Sequence, residues 1–528
     1  MSPGFLRPKG FQIIVAVGAG MGIGIEGHLP WHLNQELSYF RQITLHPDPE
    51  HYWNQPDLGL NAHRESDLGL IGDAMKKPPT KNIVIMGRHS WESIPENYRP
   101  LKNRINLVLS TDESQISDNQ RIILRSFERA LEWCYQHQRI YPHTQIWVIG
   151  GSMLYREAIH HRDCVGLYLT EIEDYYRCDI RFPEWNSQHL IHDPSYDRPF
   201  EDYDRFTQKN VKGIFRRYFR HSNTDELDYL SVMSRLIRDG RWSQNRTGIP
   251  TYRLMGEALE FDLRGGILPL LTTKSVPFRI IFEELKWFLK GDTNVRHLME
   301  RNVHIWDANT TREELDRRGF QELDEYSLPY GYGFLWRHFG ADYQTAHTDY
   351  QGQGFDQIQY VLDQLRTQPT SRRIILSAWY PPALDRMVLP ACHCLYQWSV
   401  DGDQLDVTMV QRSGDFFLGN PFNICSTALL TYLLGYMTHL HPRRFKYWIH
   451  DCHLYETHLE VARTQIARNP RAFPTIQINP RREIQDISDF ELDDIVIAGY
   501  NPHPVLRAPM AVLRYFTETY DRDGTRSV

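Results

Sequence analysis

The chain has 528 residues, 41% hydrophobic and 24% charged, a balance typical of soluble globular protein and not of a disordered or fibrous one. Its length predicts roughly two to four domains, and a formal net charge of -7 offers no electrostatic basis for gripping nucleic acid. Seven scattered cysteines imply no disulfide framework, no basic-then-apolar leader opens the chain, and no apolar run reaches the roughly 20 residues of a membrane span, so a cytoplasmic protein without a membrane partner is expected.

In chain order, β-rich runs at 12–17, 82–86, 105–109, 146–149 and 166–170 predict buried strands. Helical spacing occupies 35–45, 127–138 and 152–159 between them, so the N-terminal part predicts an α/β domain on a largely parallel sheet. Residues 46–81, rich in proline, glycine and charge, break this rhythm as a surface insertion. Near 218–225 the β-rich pattern stops, and helical spacing begins with Leu227, Leu230, Met233, Leu236 and Ile237. The boundary falls there, giving a first domain over 1–222 and a second over 223–512. In the second, 280–290 predicts a long helix with Ile281, Leu285 and Phe288 on one face, and 420–439 a strongly apolar one.

Three motifs in the first domain carry chemistry. Gly22-Ile23-Gly24-Ile25-Glu26-Gly27 matches a dinucleotide fingerprint as a string, but Pro30 disfavours the helix those glycines should open, so a flexible loop over a ligand is expected, with a plain surface turn as the alternative. Glu36 falls among Leu33, Leu37 and Phe40 on the apolar side of a helix. It is either a solvated surface carboxylate or a buried one of raised pKa, able to anchor a cationic heterocycle. Met86-Gly87-Arg88-His89-Ser90-Trp91 and Ile149-Gly150-Gly151-Ser152-Met153 each follow a strand and open a helix, where free N–H groups and the helix dipole receive anions.

With Ile14-Val15-Ala16-Val17, Leu29-Pro30-Trp31, Trp91-Glu92-Ser93-Ile94-Pro95, Arg104 and Tyr155, these motifs make residues 11–220 resemble a dihydrofolate reductase. The resemblance implies NADPH as hydride donor and Glu36 holding the pterin and assisting its protonation. Phe40 and Ile94 would sandwich the folate, Arg104 would pair with its glutamate carboxylate, Thr170 would fix Glu36 through a shared water, and Val15 would line the folate site. Ala16, Ile23, Gly87, Arg88, His89, Ser90, Leu109, Ser110, Ile149, Gly150, Gly151, Ser152, Met153, Leu154 and Tyr155 would bind the cofactor. The 46–81 insertion resembles protozoan versions of the family.

In the second domain Cys392 lies in Pro390-Ala391-Cys392-His393-Cys394, ahead of Gln411-Arg412-Ser413-Gly414-Asp415 and Asn423. Neither this segment nor Cys452-His453 has the ligand spacing of a zinc site, so no metal is expected. An inert core thiol is the plain alternative. A thiol in a sequence that also supplies Arg246, Arg372, Arg373 and Arg412 fits a nucleophile beside a bound phosphate better. Asn423 and Asp415 could then read the edge of a base.

Residues 226–512 resemble thymidylate synthase through those segments and through Asn245-Arg246-Thr247-Gly248, Leu271-Thr272-Thr273-Lys274, Glu284-Leu285-Lys286-Trp287-Phe288-Leu289, Ile305-Trp306-Asp307-Ala308-Asn309, Ser371-Arg372-Arg373, His453-Leu454-Tyr455 and Gly499-Tyr500-Asn501-Pro502-His503-Pro504. The resemblance implies that Cys392 adds to C6 of dUMP and that C5 then attacks the one-carbon unit of the co-substrate 5,10-methylenetetrahydrofolate. Glu284, assisted by Tyr332, would handle proton transfers. Arg246, Gln411, Arg412, Ser413, Gly414, Asp415, His453 and Tyr455 would hold the nucleotide, and Asn423 would read its uracil. Trp306, Asn309, Asp415 and Phe422 would line the folate position. Arg372 and Arg373 would come from a neighbouring subunit, which implies a homodimer.

Tyr380, Leu335, His450 and Thr457 replace the family's usual Asn, Gln, Gly and Asn, with altered folate positioning expected. The extension 513–528 also turns the family's usual terminal carboxylate near Val512 into a peptide carbonyl, so weaker closure over the folate is expected.

Together the halves resemble bifunctional dihydrofolate reductase–thymidylate synthases of protozoan type. The rivals are a pyrimidine hydroxymethylase on the same scaffold and a catalytically degraded regulatory or RNA-binding protein. The amide of Asn423 favours uracil over cytosine, and the retained Cys392, Glu284 and Glu36 weigh against the second rival.

Overall fold

A computed structural model of the chain describes residues 10–46, 81–112, 120–245 and 247–510. Most of the 46–81 insertion, Arg246 and the 513–528 extension lie outside the described residues. The chain divides into two compact units, the division falling between His221 and Ser222 in the sequence.

In the N-terminal unit the strands are β1 (Phe11–Val17), β2 (Gly22–Gly24), β3 (Asn82–Gly87), β4 (Arg104–Leu109), β5 (Ile122–Leu124), β6 (Ile146–Val148), β7 (Cys164–Ile172), β8 (Ile180–Arg181), β9 (Leu190–His192), β10 (Arg198–Asp204) and β11 (Lys209–Arg220). The order β7-β1-β6-β3-β4-β5 is parallel throughout, and β11, β10 and β9 add an antiparallel edge beyond β7. Successive residues of a strand face opposite sides of the sheet, and this sorts the core into two layers. Ile13, Val15, Ile83 and Ile85 join the helices Phe127–Ile140 and Ser152–His160 on one side. Ile14, Val84 and Met86 meet Leu33, Tyr39 and Ile43 on the other, around the helix Asn34–Leu45.

The Gly22–Gly27 segment departs from the free loop expected of it. Gly22–Gly24 pairs with β8, and a Cβ at Gly22 would stand 2.5 Å from Cys178 Sγ. That glycine is required by close packing. No helix follows until Asn34, in keeping with rejection of the fingerprint.

The C-terminal unit is α+β. Its main sheet runs β12 (Arg241–Ser243), β13 (Thr251–Asp262), β17 (His441–Tyr455), β16 (Gln404–Asp415), β15 (His393–Asp401), β14 (Ile375–Ser377). All neighbours are antiparallel except β16 and β17. Those two are joined across the core by the helix Gly419–Thr438, whose Ile424, Leu429, Leu430 and Leu434 are buried. The helices Thr224–Asp239 and Phe278–Leu289 pack into the same core. Parallel β16 and β17 and antiparallel β15 bring the start of β15 and the ends of β16 and β17 to one end of the sheet. That end gathers Cys392, residues 411–415 and residues 453–455.

Candidate active sites

Glu36 lies in the first turn of the helix Asn34–Leu45, whose start is held where Asp202 and Asp204 of β10 accept the backbone N–H groups of Gln35 and His32. Its hidden face carries Glu36, Tyr39, Ile43 and Thr44, while Leu37 is 41% exposed. Leu37 was expected beside Glu36 on the apolar side, but a turn of about 100° per residue rotates it away. Glu36 is 7% exposed, and desolvation raises its carboxyl to about 7. Tyr39 stacks on Phe215 at 4.1 Å, and Phe215 pairs in register with Thr170 of β7, which pairs with Ala16 of β1. Thr170 Oγ1 and Trp31 Nε1 are buried without a hydrogen-bond partner among the described residues. Such orphans ask for an absent polar partner, a water or a ligand. Phe40, Ile94, Ala16 and Ile149 are half-buried at the margin of this cluster. Arg104 lies against Phe40, its guanidinium 5.9 Å from the ring and donating to Thr44 Oγ1 at 2.7 Å. Burial and then Arg41 lower its pKa to about 10.

Two uncapped helix starts face each other across β3 and β6. The helices Arg88–Ser93 and Ser152–His160 follow Gly87 and Gly151 with no side chain accepting from their first turn, and the Gly87 N–H donates to Gly150 O at 2.8 Å. Gly150 has φ +123, and a Cβ at Gly151 would sit 3.1 Å from Ser90 Oγ. A glycine cradle with free N–H groups fits the phosphates of a dinucleotide. Arg88 lies 3.8 Å from Asp112, and Ser110 Oγ accepts the Asp112 N–H, which ties the β3 and β4 ends together. Ile23 and Leu109 border the adjoining core half-buried, while Met153 is 84% exposed and the His89 side chain 86%. Leu154, Val15 and Tyr155 are core residues on this side, and the Tyr155 hydroxyl donates to Ile14 O at 2.9 Å.

At the other site, the N–H groups of Cys392 and His393 donate to Tyr332 Oη at 2.6 and 3.3 Å. Arg412 donates its N–H to Cys392 O at 2.9 Å, its guanidinium binds Pro390 O and Ala391 O, and its Nη2 lies 3.6 Å from Cys392 Sγ. A fixed guanidinium beside sulfur favours the thiolate, the nucleophilic form. Tyr332 also packs on Phe288 at 4.9 Å and Trp306 at 6.3 Å. Trp306 Nε1 donates to Glu284 Oε1 at 2.8 Å, and desolvation outweighs that bond, raising Glu284 to about 7. Asn309 follows Trp306 in the helical turn Asp307–Thr310.

Asn423 stands in the first turns of the helix Gly419–Thr438 with half-buried Phe422 before it. Gln411 Nε2 donates to Asn423 Oδ1 at 3.2 Å and to Ser413 O at 2.8 Å, while Tyr447 donates to Gln411 Oε1. His453 O accepts the Phe416 N–H, and Ser413, Gly414 and Asp415 pair in register with Asp451, Cys452 and His453. His453 lies edge-on to Tyr455 at 5.3 Å. Asp415 Oδ1 accepts from the N–H groups of Phe417 and Leu418.

The family model of thymidylate synthase matches residues 227–512, and that of dihydrofolate reductase matches 68–206. The bifunctional dihydrofolate reductase-thymidylate synthase of Zea mays is 35% identical over 543 residues, covering 96% of this chain and 98% of the maize protein. Those of Leishmania major and Paramecium tetraurelia are each 35% identical, covering 96% of this chain and 95% and 99% of their own lengths. The chain belongs to the bifunctional dihydrofolate reductase–thymidylate synthase family.

Within one chain, Arg372 and Arg373 stand apart from Cys392. Ile374 O accepts the Trp398 N–H, and Trp398 lies six residues along β15 from Cys392, roughly 20 Å at strand rise. Neither guanidinium has an ion-pair partner among the described residues, and both residues are exposed. His393 is the residue whose role the sequence left unassigned. It is buried, hydrogen-bonds Asn423 and lies 3.1 Å from Tyr396 Oη; burial lowers it to about 4, so it is neutral at pH 7. Two departures from the family pattern are absorbed by packing. Leu335 is fully buried with Phe334, Tyr343 and Met387, and Tyr380 packs on Tyr330 and Phe339 at 6.2 and 5.1 Å. Among the described residues no cluster of His, Cys, Asp or Glu could hold a metal ion, and no helix is long and apolar enough to cross a membrane.

Proposed function

We propose that the chain methylates dUMP to dTMP at the Cys392 site and reduces the resulting dihydrofolate at the Glu36 site. The observation that carries the first reaction is the Arg412–Cys392 contact next to His393, which hydrogen-bonds Asn423; the second rests on the buried Glu36, raised to about 7. Cys392 Sγ adds to C6 of the uracil, and C5 becomes the nucleophilic carbon. Asn423, its amide turned by Gln411 and His393, donates to and accepts from the uracil edge. Glu284, near neutrality in pKa, takes the C5 proton when ionised, with Trp306 and Tyr332 holding the geometry. 5,10-Methylenetetrahydrofolate supplies the one-carbon unit and the hydride that makes it a methyl group. Arg246, Arg412 and Ser413 hold the nucleotide phosphate, His453 and Tyr455 the ribose, and Trp306, Asn309, Asp415 and Phe422 the folate.

At the second site Glu36 holds the pterin and, when protonated, is its proton source. Phe40 and Ile94 flank the ring and Arg104 pairs with the glutamate carboxylate. The two glycine-led helix starts, with Arg88 and Ser90, hold NADPH. Bound there, NADPH supplies the hydride. Arg104→Leu should raise KM for dihydrofolate roughly 10- to 100-fold with kcat little changed, since a charge-assisted pair is lost. An unchanged KM in steady-state kinetics would remove Arg104 from the folate site. Incubation with dUMP, methylenetetrahydrofolate and NADPH should yield dTMP and consume NADPH; tetrahydrofolate released without NADPH would instead favour hydroxymethylation. A reducing compartment, the cytoplasm, suits a working thiol accompanied by six other free cysteines.

The separation of Arg372 and Arg373 from Cys392 supports a homodimer in which a second copy supplies both arginines to the phosphate. Cys392→Ala and the double change Arg372→Glu, Arg373→Glu should each be inactive in dTMP synthesis. Subunits mixed and allowed to exchange should recover about a quarter of wild-type activity, because half the dimers are hybrid and each hybrid has one intact site. No recovery after exchange shown by mass would rule out shared sites.

A further inference from the structure

Cys394 is a second thiol that the reaction does not use. The β15–β16 register shifts between His393, paired with Gln411, and Leu395, paired with Val410, leaving Cys394 as the extra residue of a β-bulge. A bulge re-aims the side chain it carries. Here Cys394 Sγ turns back along the chain to 3.4 Å from Cys392 O and 3.7 Å from Ala391 O. Both thiols are partly exposed. Residues two apart on an extended strand have Cα atoms about 6.6 Å apart, near the upper limit for a disulfide, and a bulge shortens that span.

We propose that Cys394 is a resolving thiol that captures oxidised Cys392 as a Cys392–Cys394 disulfide and so protects the nucleophile from irreversible oxidation. The inference rests on Cys392 being the nucleophile. The oxidant is hydrogen peroxide. Cys392 thiolate attacks one peroxide oxygen, the S–O bond forms, the O–O bond breaks and hydroxide leaves, the sulfur giving up two electrons. Cys394 Sγ then attacks that sulfur, the S–S bond forms, the S–O bond breaks, and water leaves with the Cys394 proton. Arg412 assigns the order. Its guanidinium lies against Cys392 Sγ, whereas burial pushes the Cys394 thiol up against the opposing pull of the Arg412 N–H and guanidinium. Cys392 is therefore oxidised first. A disulfide formed and reopened in this way would halt thymidylate synthesis under peroxide and restore it with a thiol reductant.

The test treats reduced full-length protein with hydrogen peroxide, removes the peroxide with catalase and then adds dithiothreitol. Wild type should lose dTMP synthesis and regain most of it. Cys394→Ala, active before treatment, should regain at least about fivefold less, because its sulfenic acid runs on to the sulfinic acid. Cys394→Ser serves if the alanine variant does not fold. The wild-type tryptic peptide Met387–Arg412 holds only these two cysteines and should become lighter by two hydrogens without reductant. Equal recovery in wild type and variant, or a wild-type peptide that gains oxygen but never loses two hydrogens, would overturn the proposal. The separate finding that Cys392→Ala still makes dTMP would sink the nucleophile assignment while leaving the peptide mass to decide the disulfide.

Discussion

Replacing Cys392 by Ala should abolish dTMP formation, with a loss of at least about 10^4-fold in kcat, while NADPH oxidation on added dihydrofolate stays unchanged. A covalent nucleophile acts as one unit with the groups around it, so deleting it removes nearly the whole chemical acceleration. Those groups are visible: the Arg412 guanidinium beside Sγ, Tyr332 Oη accepting the Cys392 N–H, and Glu284 bound to Trp306 on the same aromatic cluster. The reductase residues lie in the other compact unit, which is why the second activity should survive. The measurement is dTMP release from dUMP alongside absorbance of NADPH on the same preparation. Residual dTMP synthesis within about tenfold of wild type would show that another group attacks C6.

Glu36→Gln should lower dihydrofolate reduction by roughly 10^2- to 10^4-fold, the usual value of a positioned proton donor. Wild-type kcat/KM should also fall as pH rises through about 7, where Glu36 loses its proton, and the variant should lose that limb of the profile. The same shift has a stability consequence of defined sign. Desolvation raises the folded pKa from 4.5 to about 7, so this carboxyl's contribution is fully present below about 4.5 and is lost as pH rises through about 7, to the extent of a few kcal/mol. Above pH 8, Glu36→Gln should therefore raise the unfolding midpoint of the reductase unit while lowering its activity. A midpoint that falls at pH 8, with the same activity loss, would mean that the carboxylate is stabilised by partners and not merely desolvated.

Glu36 also shows how far sequence reaches. Its spacing from Leu33 and Phe40 already placed it on an apolar face, because helical geometry is local. Whether it was solvated or buried depended on β10, β11 and Phe215, residues more than 150 positions away. The parallel strands other than β5 could be read to within about two residues, since strands buried on both faces are continuous apolar runs, whereas β5 is three half-buried residues and left no such run. The antiparallel edge β9–β11 could not. Its burial alternates, as in Val211, Gly213 and Phe215 between the less buried Asn210, Lys212, Ile214 and Arg216, and that signal is weak beside the turns that separate the strands.

The same division runs through the second unit. Ordered motifs around Cys392, Glu284 and Asn423 are enough for the sequence alone to name the residue types, their chemistry and the pairing of two complementary activities, because identity and spacing are properties of the chain. Which of those residues meet was decided by the sheet. Parallel β16 and β17 beside antiparallel β15 carry Cys392, Asp415 and His453 to one end, and β14 leaves Arg372 and Arg373 about 20 Å away at the other. The role of His393 as a neutral partner of Asn423 and the turn of Cys394 onto Cys392 O are likewise products of burial and of a single bulge. Strand direction, register and desolvation arise only when distant segments pack, and no local pattern encodes them.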